Sequence, residues 1–183
     1  MMDENLNVFR KDESGLSTAF FLTDDMHSVI TTHVDALEAY AQKSQRNARI
    51  CVFENSESPL HAMLITQFRN MDSRPRVMTK PKCFMPLRGR LILLKVDFGG
   101  NVVKREVLSP GQNILSYIET HQPYIDIPVD EITTHLEITI GPHDRVSDRN
   151  FPPVWWDEGK ETRERWREEQ IRITLHGGGE KVL

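Results

Sequence analysis

The sequence predicts a mainly β protein built as a single antiparallel barrel or sandwich. The first observation is a series of short apolar segments that recur about every ten residues after Arg49. The second is the set of turn residues between them, of which the run from Asp97 to Asn101 (DFGGN) is the strongest hairpin signal. The third is a segment with helical spacing on each side of the strands. Together these features are typical of a small barrel or sandwich with two appended helices.

Composition and charge are those of one globular domain. The chain has 183 residues, of which 38% are hydrophobic and 27% charged, with a formal net charge of −4. This charge gives no global reason to expect nucleic acid or a membrane surface as partner. No apolar run approaches about 18 residues, and the polar N-terminus has no signal-peptide core. Two cysteines, Cys51 and Cys83, make no disulfide framework, so we expect a cytoplasmic protein.

We predict that residues 1–48 form an N-terminal arm with one strand and one helix. Residues 18–22 (TAFFL) have the character of a short buried strand. Residues 23–25 (TDD) offer a helix N-cap, and the apolar spacing that follows predicts an amphipathic helix ending near Lys43.

Residues 49–156 contain the predicted strands of the barrel. Turn residues separate them, as in NSESP (55–59) and SPG (109–111). The predicted strands are ICVFE, HAMLITQF, RVMTKPKCFMPL, RLILLKVDF, VVKREVL, NILSYIE, PYIDIP and THLEITI.

We predict that residues 157–183 form a charged helix and a flexible tail. Residues 157–172 carry six acidic and five basic side chains, which is typical of a solvent-facing helix laced with ion pairs. Trp166 is expected to anchor this helix to the barrel or to a second subunit. The preceding FPPVWW segment (151–156) is expected to cover the barrel, because two adjacent tryptophans are costly to leave in water.

Three segments carry a resemblance to a known family. They are RNARICVFENSESPLHAMLI, LRGRLILLKVDFGGNVVKREVLSPG and, most specifically, LEITIGPHDRVSDRNFPPVWW. They resemble the WbuC-like family of cupin-fold proteins over about Arg46 to Trp156. The resemblance implies a single cupin, or jelly-roll, β-barrel and an association with surface-polysaccharide (O-antigen) gene sets.

The resemblance also implies a metal site whose ligands are replaced here. Cupins usually bind metal through His-x-His, a following Glu and a Gly separated from that Glu by six residues, with a further His on a late strand. Counting back from Gly89 places Lys82 at the Glu position and Met78 and Arg76 at the two His positions; Tyr124 takes the place of the last His. Lys and Arg repel a cation and Met and Tyr are weak ligands. We therefore expect no metal and no other cofactor.

Strand parity supports this assignment of positions. Side chains alternate between faces, so one face holds a set of alternate residues if the strand is unbroken: Arg74, Arg76, Met78, Lys80 and Lys82. That face points into the barrel in a cupin. Pro81 could bulge the strand and shift the count.

Two interpretations of the former metal positions stay open. In the first, Arg74, Arg76, Met78 and Lys82 bind an anionic sugar or nucleotide-sugar, through bidentate and point-charge contacts.

In this interpretation a desolvated Lys82 with a lowered pKa acts as base and Tyr124 as acid, with His121 and Glu137 as further catalytic candidates in a sugar isomerase- or epimerase-like reaction.

In the second interpretation the pocket is inactive and the protein is a non-catalytic scaffold or regulatory binding module. Met78 and Tyr124 then fill space, and Arg76 and Lys82 pair with Glu137, Glu119 or Asp126.

Further expectations concern a different metal site and the oligomeric state. His135 and Glu137 share parity on one strand, so a remodelled metal site around them is conceivable. Cupins commonly dimerise, and the two extensions are plausible arms, so the prediction is a homodimer that binds a small anionic ligand and neither nucleic acid nor membrane.

Overall fold

The protein forms ten strands and two α-helices in the computed structural model, which describes residues 4–15, 17–23, 28–70, 74–143 and 159–176. A short 3-10 helix, Glu4–Leu6, precedes the first strand. The strands are β1 Arg10–Asp12, β2 Thr18–Phe21, β3 Ala48–Cys51, β4 Leu60–Phe68, β5 Lys82–Arg88, β6 Leu91–Val96, β7 Val102–Leu108, β8 Ser116–Ile118, β9 Tyr124–Pro128 and β10 Ile132–Ile140; the helices are α1 Thr31–Ser44 and α2 Lys160–His176.

The strands form two sheets, which confirms the mainly β prediction. One sheet has seven strands in the order β1-β2-β3-β4-β10-β5-β8, and the other has the order β7-β6-β9. The pairs β4–β10, β5–β8 and β6–β7 are nested along the chain like the two arms of one long hairpin. Folding such a hairpin over on itself gives two Greek keys, which is the connectivity of a jelly roll. Within the described residues, strand pairing keeps the two sheets separate, as in a sandwich.

The basic stretch before β5 differs from the prediction. We expected one strand over RVMTKPKCFMPL, but only Lys82–Arg88 is a strand, and Arg76 makes a single antiparallel bridge to Tyr124. Pro81 has no N–H for a ladder and separates the two pieces. Gly89 turns the chain from β5 to β6 with φ of +70°, a conformation that suits glycine.

A helix covers the outer face of each sheet. Side chains of α1, including Leu37 and Ala41, share a buried apolar cluster with Ile50 and Leu64 of β3 and β4. On the smaller sheet, Ile171 and Trp166 of α2 pack with an outer row of apolar residues from β6 and β9: Ile92, Leu94, Val96, Ile125 and Ile127. The anchoring of Trp166 to the β structure is therefore confirmed. Neither helix in the described part of the chain has the length and apolarity needed to cross a membrane.

The N-terminal segment extends the larger sheet. The predicted strand at 18–22 is observed as β2, which runs parallel to β3, and β1 adds an edge strand that we did not predict. Helix α1 begins at Thr31, later than the proposed N-cap at 23–25, where residues 24–27 lie outside the described residues. The Ile30 N–H donates to His33 Nδ1 (3.2 Å) at the start of the helix. The FPPVWW segment and the tail after residue 176 also lie outside the described residues.

Candidate functional site

Polar side chains from both sheets meet in the interior between them. We call this set the interior polar cluster; its members are Gln67, Arg76, Lys82, Tyr124, Asp126, His135 and Glu137. Strand alternation brings them there. Lys82 and Phe84 share the inner face of β5. His135 and Glu137 share that of β10, as their parity in the sequence predicted. The shared face expected from Arg74 to Lys82 required one unbroken strand, and the strand begins only at Lys82.

Lys82 and Glu137 form a buried ion pair. The Lys82 ammonium donates to Glu137 Oε1 across β5 and β10. Burial favours the neutral forms of both groups, but each charge outweighs that effect on its partner. The Glu137 carboxylate raises the pKa of Lys82, and Lys82, with Arg76, lowers the pKa of Glu137. Both groups are therefore charged at neutral pH.

This result corrects the expected direction of the Lys82 pKa shift. A general base needs a lowered pKa, and we expected desolvation to supply it. The neighbouring Glu137 carboxylate reverses the direction of the pKa shift. A raised pKa argues against the role of base that the sequence suggested for Lys82.

Arg76 and Asp126 form a second ion pair in the cluster. Arg76 Nη1 lies 3.1 Å from Asp126 Oδ1, and Gln67 Nε2 donates across the sheets to Asp126 Oδ2 (2.9 Å). The Arg76 side chain is 27% exposed while that of Asp126 is fully buried. Arg76 is thus the part of the cluster that solvent reaches, and the two ion pairs leave the cluster with no net charge.

Tyr124 and His135 supply the neutral groups of the cluster. Burial raises the pKa of Tyr124 and lowers the pKa of His135, so the phenol is protonated and the imidazole uncharged at neutral pH. Within the described residues, Tyr124 Oη, both His135 ring nitrogens and Glu137 Oε2 are buried without a hydrogen bond of normal geometry. An unsatisfied buried polar group costs about 1–3 kcal/mol. The cluster therefore has an unused capacity to donate and accept hydrogen bonds.

The other three predicted site residues differ in position. Arg74 is exposed, before the point where the chain enters the interior. Met78 is buried in an apolar cluster that also contains Phe84 and Tyr124, which fits the space-filling role considered for it. His121 is exposed in a turn with φ of +60°, and its backbone N–H donates to the Met78 carbonyl (2.8 Å). The structure therefore brings together Arg76, Lys82, Tyr124 and Glu137, and not Arg74 or His121.

The donor set of the interior does not fit a metal ion. The Lys82 ammonium occupies one Glu137 oxygen, and the Arg76 guanidinium lies against the nearest other carboxylate, Asp126. Within the described residues no group of three or more His, Cys, Asp and Glu side chains could hold a metal ion. His135 and Glu137 share a face, but they do not gain the third ligand that the remodelled site would need.

The sequence analysis did not predict Gln67 as a member of the cluster, and it considered Asp126 only as one possible ion-pair partner. Gln67 lies in HAMLITQF at the same parity as Met63 and Ile65, so a polar side chain on an apolar face was the available signal. Asp126 lies between Ile125 and Ile127 in YIDIP and has the same parity as Tyr124, so it belongs to the face opposite the isoleucines. Each polar residue implied a partner across the sandwich.

Comparisons with known proteins give low similarity. No protein-family model matches the sequence, and no curated protein matches it. Among solved structures, a cupin superfamily protein from Desulfitobacterium hafniense is 11% identical, with a TM-score of 0.41 over 52% of this chain and 77% of that one.

Two further solved structures are similar at the same level. A putative ethanolamine utilization protein Q from Salmonella typhimurium is 12% identical, with a TM-score of 0.41 over 54% of this chain and 72% of that one. An HTH_3 family transcriptional regulator from Vibrio cholerae is 14% identical, with a TM-score of 0.41 over 53% of this chain. The match spans 52% of the regulator's own chain. The architecture described above is therefore assigned from the strand pairing observed in this chain.

Proposed function

We propose that this protein is a metal-independent binding protein of cupin type that holds one small sugar derivative between its two sheets. The observation that carries the proposal is the set of unpartnered polar atoms on Tyr124, His135 and Glu137. Hydroxyl groups both donate and accept hydrogen bonds, so a polyhydroxylated molecule can satisfy a protonated phenol, a neutral imidazole and a carboxylate together. The resemblance of the closing segment to WbuC-like cupins supports intermediates of surface-polysaccharide biosynthesis as the source of the ligand.

The charge balance of the interior polar cluster restricts the class of anionic ligand that we expected from the sequence. Glu137 and Asp126 neutralise Lys82 and Arg76, so the interior offers little attraction for a highly charged nucleotide. Arg76 is the exception, because its guanidinium is partly exposed and has further donors beside its contact with Asp126. We infer a sugar acid whose single carboxylate meets Arg76 and whose hydroxyls reach Tyr124 and His135. Binding without catalysis is proposed, since Lys82 has a raised pKa.

Calorimetric titration with glucuronate, glucose and UDP-glucose tests this function. We expect glucuronate to bind more tightly than glucose, and UDP-glucose to bind least. Tyr124→Phe removes only a hydroxyl and should weaken glucuronate binding about tenfold, as expected for the loss of one buried hydrogen bond. Lys104→Met, at an exposed lysine of β7, is the control and should bind as wild type. An absence of heat with all three compounds contradicts the proposal.

A second candidate is the non-catalytic scaffold or regulatory module. The observation that favours it is the pairing of both interior cations with carboxylates of the same chain, which needs no ligand. Such a module would act through its surface, and the homodimer expected from the sequence is one form of that. Light scattering that gives a monomer mass near 21.2 kDa would contradict the dimer.

A further inference from the structure

The carboxylate of Asp126 faces Arg76, the part of the interior polar cluster that solvent reaches. The Asp126 side chain is fully buried, and Arg76 Nη1 lies 3.1 Å from its Oδ1. Two backbone hydrogen bonds hold Arg76 on β9: its N–H donates to the Tyr124 carbonyl (2.8 Å), and the Tyr124 N–H donates to the Arg76 carbonyl (2.9 Å). Asp126 lies two residues further along β9, at the same parity as Tyr124. The backbone pairing therefore keeps the carboxylate beside the guanidinium.

Gln67 orients this carboxylate from the opposite sheet. Gln67 Nε2 donates to Asp126 Oδ2 (2.9 Å), and both side chains are buried. Asp126 Oδ1 has no hydrogen bond of normal geometry within the described residues, so its contact with Arg76 is mainly electrostatic. The Asp126 charge raises the pKa of Arg76. Because Gln67 is a neutral donor, it holds the carboxylate in place without cancelling its charge.

The charge of Asp126 also acts on any anion that reaches Arg76. The cost of removing an ion from water rises with the square of its charge. The attraction between the ion and a cluster with no net charge rises only in proportion to the charge of the ion. A site in which Asp126 balances Arg76 therefore accepts one negative charge more easily than two.

We propose that Asp126 is the residue that restricts the interior site to ligands with one negative charge. This role of Asp126 rests on the function proposed above. Asp126→Asn keeps the shape of the side chain and leaves the cluster with one positive charge. With an effective dielectric constant of about 20, two unit charges about 8 Å apart change a binding constant about thirtyfold, and solvent screening near Arg76 reduces this to about tenfold. Each negative charge of the ligand should gain by that factor.

Calorimetric titration of the full chain at pH 8 with glucuronate and glucose 1-phosphate tests this role. Both are hexose derivatives with one acidic group, but the phosphate monoester carries nearly two negative charges at pH 8, because its second pKa is about 6. Wild type should bind glucuronate more tightly. Asp126→Asn should bind glucuronate about tenfold and glucose 1-phosphate about a hundredfold more tightly than wild type does. The preference for glucuronate should therefore shrink about tenfold.

Two further variants separate the charge of Asp126 from its packing. Asp130→Asn is the matched control, because it makes the same change in a partly exposed aspartate that pairs with Arg90, and it should keep the wild-type preference. Adding Gln67→Glu to Asp126→Asn returns one negative charge to the same contact and should restore the preference. Circular dichroism checks that each variant is folded.

The wild-type chain gives a second measurement that needs no variant. Between pH 5 and pH 8 glucose 1-phosphate loses its second proton, whereas the carboxyl group of glucuronate is already ionised, so only the affinity for glucose 1-phosphate should fall several-fold. An unchanged preference in folded Asp126→Asn, or no such fall in the wild type, would overturn the role of Asp126 and leave the proposed function standing. No binding of glucuronate to the wild type would contradict both.

Discussion

Replacing Lys82 with methionine removes the cation that holds the Glu137 carboxylate between the sheets. The two side chains are 7% and 2% exposed, so water cannot take the place of the ammonium. With an effective dielectric constant of about 20, two charges about 4 Å apart attract by about 4 kcal/mol. Removing one partner of a buried pair costs about 3–5 kcal/mol, because the other charge stays behind. We expect Lys82→Met to lower the free energy of unfolding at pH 7 by that amount.

Urea denaturation of a double-mutant cycle measures the effect. Adding Glu137→Leu to Lys82→Met removes both charges, so the double variant should return to within about 1 kcal/mol of wild type. Lys104→Met is the control; the Lys104 side chain is 59% exposed and that of its partner Glu106 is 14% exposed, so the change should cost less than about 1 kcal/mol. A cost below about 1 kcal/mol for Lys82→Met, or no recovery in the double variant, would refute the reasoning.

The pH dependence of the free energy of unfolding provides an independent test of the Lys82→Met prediction. In the wild type the pKa of Glu137 lies below its usual 4.5, so its contribution to stability is present above that pH and is lost as the pH falls through the folded-state value. In Lys82→Met the main opposing charge is gone, and burial then favours the protonated carboxyl. The deficit of the variant should therefore shrink as the pH is lowered from 7 toward 4.5.

Three further predictions concern the fold and the metal. Thr134→Val removes a hydroxyl that donates to Glu38 on α1 (2.6 Å) and should cost about 1–3 kcal/mol in urea denaturation, whereas a cost near zero would contradict a structural role for this bond. Gly89→Ala places a Cβ 2.9 Å from the Ile132 carbonyl oxygen, in a residue whose φ is +70°, so we expect the free energy of unfolding to fall by at least about 1 kcal/mol. An unchanged free energy of unfolding would contradict the turn conformation described for Gly89. Excess EDTA should leave the melting temperature unchanged, and a marked drop would reveal a structural metal.

The strand content of the protein could be predicted because it follows from local patterns. Alternation and turn residues located the strands of the jelly roll, and the helix at 160–176 was visible from its charges. The break before β5 was harder, since a proline in a strand pattern can mark a bulge, an edge or a complete stop. Neighbouring strands decide between these, and here the chain before β5 forms an isolated bridge between Arg76 and Tyr124 in place of a continuous ladder.

The membership of the interior polar cluster could be predicted only in part. Counting back from Gly89 led to Arg76 and Lys82, and counting back from Glu137 led to Tyr124, because the spacing of positions carries over short distances along the chain. His121 was predicted to belong to the site but does not, because it lies in a turn at the surface. The direction of the Lys82 pKa shift was wrong because it depends on the distance to Glu137, far away in sequence.

The central claim is that Lys82 and Glu137 are both charged and form an ion pair in the interior between the two sheets. Nuclear magnetic resonance of ¹⁵N-lysine-labelled protein measures it directly, with the Lys82 Nζ signal assigned by its loss in Lys82→Met. The account predicts an ammonium signal that is protected from exchange and titrates above pH 10.5. A Lys82 Nζ that loses its proton below that value would contradict the ion pair and restore the lysine as a candidate base.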